Sequence, residues 1–497
     1  MAKVPSIKLS RYLILFTSFI SLMYVSSSCV RGDKLANKAP DTSISIDSIS
    51  LSGEDRLNSN ISLSWYGTDA DGYIAGYEIS LNNIDWAYTT TQDSTFIFDI
   101  PAGSDTADIN FYVRSIDNDG NIDPTPAYLQ VPVKNTPPIV SFVEESQPWD
   151  TALVACTFLW NAIDNDGNET VNRVEVRFNE GDWYEVPTGQ TLISFMLDAN
   201  APSAIASEAA VFYGTNQTPR TQKINGVLAN SSNTVYIRAY DISGSVSAVD
   251  TSLSFFFKNK EHDVLWINGH AAPVMDQYKT ILNNINLSYD YLDFGTYNTG
   301  EQLPKYWNPT FELVLSQYDI LFLNVDGSAT YTNPITSRSA GLLDYIAPAM
   351  QTFVSNGKKS LITTKFIKPN DNSDPLANLR GAYPIDSLVI GGQGTQARIL
   401  PPDSGLVPVN LAPQYPTIKP TLGQLEVIPI IKSDDAIDFY AGQLTKYGGW
   451  EGPNLMASAR RPNNELIQVF FAAPLHEYNS DVTALENLFE EILKNEF

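Results

Sequence analysis

The chain has 497 residues, room for about three domains, and it carries 56 Asp and Glu against 31 Lys and Arg for a net charge of −25. Such a surface repels phosphate backbones and anionic headgroups, which argues against nucleic-acid binding and against electrostatic attachment to membranes, and favours cations, calcium first among them outside a cell. With only two cysteines, Cys29 and Cys156, stability has to come from hydrophobic cores.

In chain order, Met1 to Arg11 holds three cations (Lys3, Lys8, Arg11) and no acid, and leads into the apolar run Tyr12 to Val25 and then Ser26-Ser27-Ser28-Cys29. The run is too short for a comfortable membrane span and ends in small side chains, the layout of a signal peptide over residues 1–28. A cysteine directly after small residues resembles the lipobox of bacterial lipoproteins, with Ser26 where that pattern usually has an aliphatic residue. The resemblance implies that Cys29 is acylated, becomes the first mature residue and anchors the chain to a membrane through its lipid. The address it implies is the cell envelope, as an outer-membrane lipoprotein on either face; Val30 is not the Asp that marks inner-membrane retention. Residues 29–42, with Arg31-Gly32-Asp33, read as a linker.

Residues 43–135 alternate apolar and polar in short runs between Gly, Asn and Asp turns, including Ile61-Leu63-Trp65, Ile74 to Leu81 and Ile109 to Ile116. Short strands with no helical period indicate an antiparallel β-sandwich. The pattern recurs over 137–258. Trp65 to Gly72 is answered by Trp160 to Gly167, and Tyr112 to Asp117 by Tyr236 to Asp241, so two copies of one module are expected, the second enlarged by an insertion around 190–230. Asn135-Thr136-Pro137-Pro138 is the expected hinge. The early-strand Trp65, Gly76-Tyr77-Glu78 and the Tyr112, Arg114, Asp117 set resemble the fibronectin type III and wider immunoglobulin-like group; the second copy has Val174-Glu175-Val176 in place of Gly76-Tyr77. Cys156, on one alternating face with Phe158 and Trp160, reads as a buried small hydrophobe.

The loops of such a sandwich converge at one end, so Asp69, Asp71, Asp117, Asp119 and Asp123 are candidate calcium ligands, since calcium takes six to eight oxygens from several carboxylates. The alternative is that Asp-x-Asp-Gly makes a good turn, because Asp bonds its own backbone and Gly accepts positive φ.

After Phe255-Phe256-Phe257 the period changes. Strands are expected at Asp263 to Ile267, Tyr289 to Phe294, Tyr318 to Val325, Ser360 to Thr364 and Leu466 to Ala472, with helices at Val274 to Ile285, Ser339 to Ser355 and Val482 to Lys494. That alternation predicts an α/β domain over 260–497 with a mainly parallel sheet. Residues 369 to 421, with nine prolines, are expected as loops over one sheet edge, and Gly391-Gly392-Gln393-Gly394 as a turn. Asp263 to Asn268, Tyr318 to Leu323 and Phe353 to Ile362 resemble the class I glutamine amidotransferase-like or flavodoxin-like group. The family's chemistry needs a Cys at a Gly-flanked strand-to-helix elbow with a His beside it; this chain has Ile362-Thr363-Thr364-Lys365 there, so the resemblance implies a domain without its nucleophile.

His270 closes the first strand of that domain and His476 follows the last, so with Asp326 and Lys365 they are candidates for a crevice at the carboxyl edge of the sheet. Three functions stay open: a non-catalytic binding or interaction lipoprotein, a hydrolase using the crevice, or a glycan-binding component of a polysaccharide-uptake system, which exposed Trp86, Trp183 or Trp450 would promote. No cofactor is implied beyond calcium, and the protein or glycan ligand is open. Asp-Ser/Thr triplets starting at Asp47, Asp93, Asp105, Asp150 and Asp386 resemble the O-glycosylation motif of Bacteroidota.

Overall fold

The computed structural model describes residues 36–46, 56–98, 100, 101, 104–148, 150–295, 310–326, 330–332, 337, 339–368, 374–391, 396–400, 404–421, 423, 425–444 and 450–497. Residues 1–35, on which the expected signal peptide and Cys29 fall, lie outside the described residues. β-Structure dominates, and among the described residues no helix is long and apolar enough to cross a membrane.

Two compact units divide the chain: one holds residues up to Thr136 with Asn165–Gly167 and Ser243–Ser245, the other the remainder. In the first, a three-stranded sheet built on Asn60–Thr68 and a five-stranded sheet built on Thr106–Asp117 face each other. Alternation explains why. Ile61, Leu63 and Trp65 point inward from one sheet and Phe111 and Val113 from the other, with polar neighbours outward, as a strand's two-residue period requires. The Trp65 ring lies 6.1 Å from that of Phe111, tilted by 34°, and donates its indole N–H to the carbonyl of Thr91 at 3.0 Å, so the core's largest ring leaves no buried donor unpaired.

The second unit begins with a similar sandwich. Val235, Ile237 and Ala239 alternate inward along Val235–Asp241, and Trp160, 1% exposed, takes the role of Trp65. The insertion is not a loop: Leu192–Leu197, Ala206–Tyr213 and Ile224–Leu228 extend the sheet of Ala155–Ile163 by antiparallel pairing. Cys156 is fully buried.

The same unit contains an eight-stranded sheet in the spatial order Asp290–Asp293, Val264–Asn268, Ile320–Asp326, Lys359–Lys365, Gln468–Phe471, Leu455–Arg460, Ile437–Gly442 and Leu406–Pro408. The first five strands are mutually parallel. In chain order they read 2-1-3-4-5, the doubly wound arrangement whose switch point lies between strands 1 and 3. Val264–Asn268 is buried at every position, as a strand covered on both faces must be. Helix Val274–Asn284 lays Tyr278, Ile281 and Leu282 on the sheet at helical spacing, and helix Val482–Glu490 starts at Asp481, whose carboxylate accepts the Ala484 amide at 3.1 Å.

A boundary was expected between 258 and 260, yet the second sandwich and the mixed sheet share one core. Leu153, Val154, Ala155 and Phe212 of the sandwich pack in the same cluster as Val314, Leu323 and Phe353. Helix Thr310–Ser316 sits against Ala155–Ile163, where the Thr157 hydroxyl bonds both Thr310 and, at 2.8 Å, Ser194. The proline-rich excursion also differs from expectation, because Leu406–Pro408 pairs as the edge strand of the large sheet and Ala397–Ile399 pairs with Leu425–Val427. Prolines at an edge leave no ladder donor unmade, so their density hid a strand.

Candidate functional site

Strand 1 of the parallel set ends in Asn268, which stands in register with Asn324 on strand 3, and both are fully enclosed. The Asn324 side-chain amide donates to Asn268 Oδ1 at 2.8 Å and its oxygen accepts the Trp266 indole N–H at 2.5 Å, while Asn268 Nδ2 donates to Asp293 Oδ1 at 2.9 Å and to the His270 carbonyl at 2.7 Å. This network holds the turn that carries His270 at the carboxyl edge, where doubly wound sheets take ligands. A Cβ on Gly295 would fall 2.0 Å from the His270 carbonyl oxygen, so only glycine lets the following loop pass so close.

His476 arrives from the other side on the short helical turn Leu475–Glu477, after the last parallel strand. Its ring meets that of His270 edge to face with centroids 5.0 Å apart. The turn is clamped from below: the His476 amide donates to the Tyr278 hydroxyl oxygen at 3.0 Å, and that hydroxyl lies 3.4 Å from His476 Nδ1. Burial pushes the Tyr278 phenol up, so it stays neutral and able to donate. Of the four expected crevice residues, the fold thus unites the two histidines. Lys365 is next door but occupied, its Nζ 2.7 Å from Glu477 Oε1. Asp326 ends its strand, and its side chain is outside the described residues.

At the elbow position the chain continues as a plain strand, Lys359–Lys365. Thr363, 1% exposed, donates its hydroxyl to the Ala473 carbonyl at 2.7 Å and accepts the Leu475 amide at 3.1 Å. The Thr363 hydroxyl is therefore a structural staple between strand 4 and the segment after strand 5, and it fixes the turn that carries His476.

Three of the five candidate acids of the first unit, Asp69, Asp117 and Asp123, accept hydrogen bonds within their own turns. Asp117 Oδ1 accepts the amides of Asp119 and Asn121, each at 2.8 Å, and its Oδ2 accepts the side-chain amides of Asn121, at 3.0 Å, and of Asn37. Burial works to raise its pKa, but these donors outweigh it and hold the carboxyl below the ordinary range. Asp123 Oδ1 accepts the amide and hydroxyl of Thr125, and Asp71 accepts the Lys38 amide at 3.3 Å. Asp69 Oδ1 accepts the Asp71 amide at 3.4 Å, and Asp119 is exposed. Among the described residues no three of these carboxylates bring ligand oxygens within 4.8 Å of one another, so calcium would lack the several carboxylates it requires. Local hydrogen bonds support the turn reading for Asp69, Asp117 and Asp123, while Asp69 Oδ2 and Asp123 Oδ2 are buried without a hydrogen-bond partner.

Both sandwiches also carry a charged ladder that no local sequence motif announces. Arg114 and Glu78 stand opposite each other on adjacent strands and pair at 2.6 Å, with the guanidinium 3.9 Å above the Trp86 ring. Arg238 and Glu175 repeat the arrangement at 2.6 Å, with Trp183 at 4.1 Å. Glu175 thus occupies the place of Glu78, although its neighbours Val174 and Val176 hid the correspondence. Trp86 and Trp183 are half-buried, each with a guanidinium group over its ring, and Trp450 is 8% exposed.

No family model matches the chain, and no curated protein matches it. Solved structures similar to parts of it include the fibronectin(III)-like modules of Clostridium thermocellum CbhA, at 16% identity and TM-score 0.18 over 44% of this chain and 98% of that one. The PKD1 domain of Vibrio anguillarum Epp matches at 16% identity and TM-score 0.15, covering 20% of this chain and 99% of the domain. A GMP synthase component from Thermoplasma acidophilum matches at 8% identity and TM-score 0.25, covering 47% of this chain and 94% of that one. Fibronectin III-like and PKD-type immunoglobulin-like modules are thus among the structural neighbours, and they bear on fold alone.

Proposed function

We propose that the chain is an extracytoplasmic lipoprotein, anchored through Cys29, that works as a binding or interaction protein without catalysis. In this reading the sandwiches are spacer and recognition modules, and the mixed sheet is a class I glutamine amidotransferase-like domain of flavodoxin-like strand order that has lost its nucleophile. The observation that carries the non-catalytic half is Thr363: its hydroxyl is buried and already makes two structural hydrogen bonds, so it has neither the exposure nor the free proton a nucleophile needs. The binding half rests on the ring contact of His270 with His476 at the carboxyl edge.

The test has two arms. Membrane fractionation of wild type and Cys29→Ser should find the wild type in the membrane pellet and the variant released; a variant that still pellets sinks the anchor. Incubating the full chain with glutamine, p-nitrophenyl esters and peptide libraries should give no turnover above buffer.

The contact of His270 with His476 supports a second reading, a hydrolase in which one imidazole acts as general base for water. Turnover that vanishes in both His270→Ala and His476→Ala, with folding intact, would establish that reading in place of the first.

A further inference from the structure

We propose that Glu261, His262 and Asp290 form a site for a divalent transition-metal cation of the zinc class, at the amino-terminal edge of the parallel strands, opposite the histidine crevice. Glu261 and His262 lie on the connection between strand Phe255–Lys258 of the second sandwich and strand Val264–Asn268, and Asp290 opens the neighbouring strand in register with Leu265. One ligand atom from each of the three lies within 4.8 Å of the others.

The decisive atom is Asp290 Oδ1. Asp290 is 1% exposed, and its Oδ2 accepts three hydrogen bonds: the Tyr318 hydroxyl at 2.7 Å, the Glu261 amide at 2.9 Å and the His262 amide at 3.4 Å. Oδ1 is buried with no hydrogen-bond partner. An unmatched buried carboxylate oxygen is costly, and a cation is what offsets that cost. The three donors on Oδ2 also prevent the carboxylate from turning, which is how outer partners orient a metal-ligating carboxylate.

The donor set selects the class of ion. One imidazole and two carboxylates suit zinc and its neighbours, whereas calcium takes oxygen ligands in larger number. Zinc needs ligands at about 2.0 to 2.2 Å, so the three atoms must close in somewhat. Glu261 is exposed and His262 half-exposed, so those two side chains are free to rotate toward the fixed Asp290. The adjacent ammonium of Lys260 is engaged by Asp263 at 2.8 Å. Three protein ligands leave a coordination position for water or an incoming donor, and the ion would pin the connection between sandwich and sheet.

The test is zinc binding to the full chain by titration calorimetry, with cobalt absorption as a second readout, in wild type, His262→Ala, Glu261→Gln and a His270→Ala/His476→Ala double variant. The expected result is one tight equivalent in wild type and in the double variant, and affinity weaker by about tenfold or more in His262→Ala and Glu261→Gln. Melting in chelator should be the same for those two single variants as for wild type, since both side chains lie at the surface. No tight binding in wild type, unchanged affinity in His262→Ala, or binding lost only in the double variant would each overturn the site.

Discussion

The imidazole of His270 stands edge-on to that of His476, their centroids 5.0 Å apart and their planes inclined by 67°. Strand 1 delivers one ring and the turn after strand 5 delivers the other, and Tyr278 and Thr363 hold that turn in place. Removing the contact should cost stability on the scale of an aromatic pair, about 0.5 to 1.5 kcal/mol. Urea unfolding of His270→Ala and His476→Ala measures it; a loss well above that range in His270→Ala would mean the ring does more than face its partner.

The charged ladders should be coupled pairs. Glu175 is 12% exposed at its side chain and Arg238 25%, so truncating Arg238 leaves a carboxylate poorly solvated, with Arg173 only at 3.6 Å. Arg238→Ala should therefore destabilise the second unit by about 1 to 3 kcal/mol. Arg238→Ala with Glu175→Ala should lose less than the two single changes added together, as a double-mutant cycle in denaturant would reveal. Additive losses would mean that the pair is decorative.

The first unit should lose stability in acid through Asp117. Its pKa is depressed in the folded state, so its contribution is fully present above the unfolded value of about 3.9 and disappears as pH falls through the folded value. Asp117→Asn should be less stable than wild type at neutral pH, and the difference should shrink as the pH falls through the depressed folded value. Melting curves across that range decide the point. Curves taken with calcium and with chelator should coincide for this unit, since among the described residues no three of its candidate acids converge within reach of one ion.

Cys156 should be inert in the native protein. Burial pushes its thiol up, and no atom of it meets solvent. Ellman's reagent should find it only after denaturation, and Cys156→Ser should cost about 1 to 3 kcal/mol because a hydroxyl replaces a sulfur among Phe158, Trp160 and Phe195. Rapid labelling of the folded chain would contradict the packing.

Much of this fold was legible in the chain, for local reasons. Strands with one buried face print a period of two, so Ile61-Leu63-Trp65 marked the first sandwich, and the recurrence of Trp65 to Gly72 at Trp160 to Gly167 and of Tyr112 to Asp117 at Tyr236 to Asp241 marked the duplication. Buried parallel strands print continuous apolar runs, so Val264 to Ile267 and Tyr318 to Val325 stood out, and the missing Cys before Lys365 was plain. The antiparallel strands Ile437–Gly442 and Leu455–Arg460 were not read, because short segments rich in Gly and Ala lack either period. Contacts between distant segments were beyond the sequence altogether. Residue types nominated His270 and His476, but only the crossing of strand and turn over the sheet edge joined their rings. Glu261 and His262 carried no motif at all, and Asp290 became notable only when the sheet register buried it with one oxygen bonded three times and the other left bare.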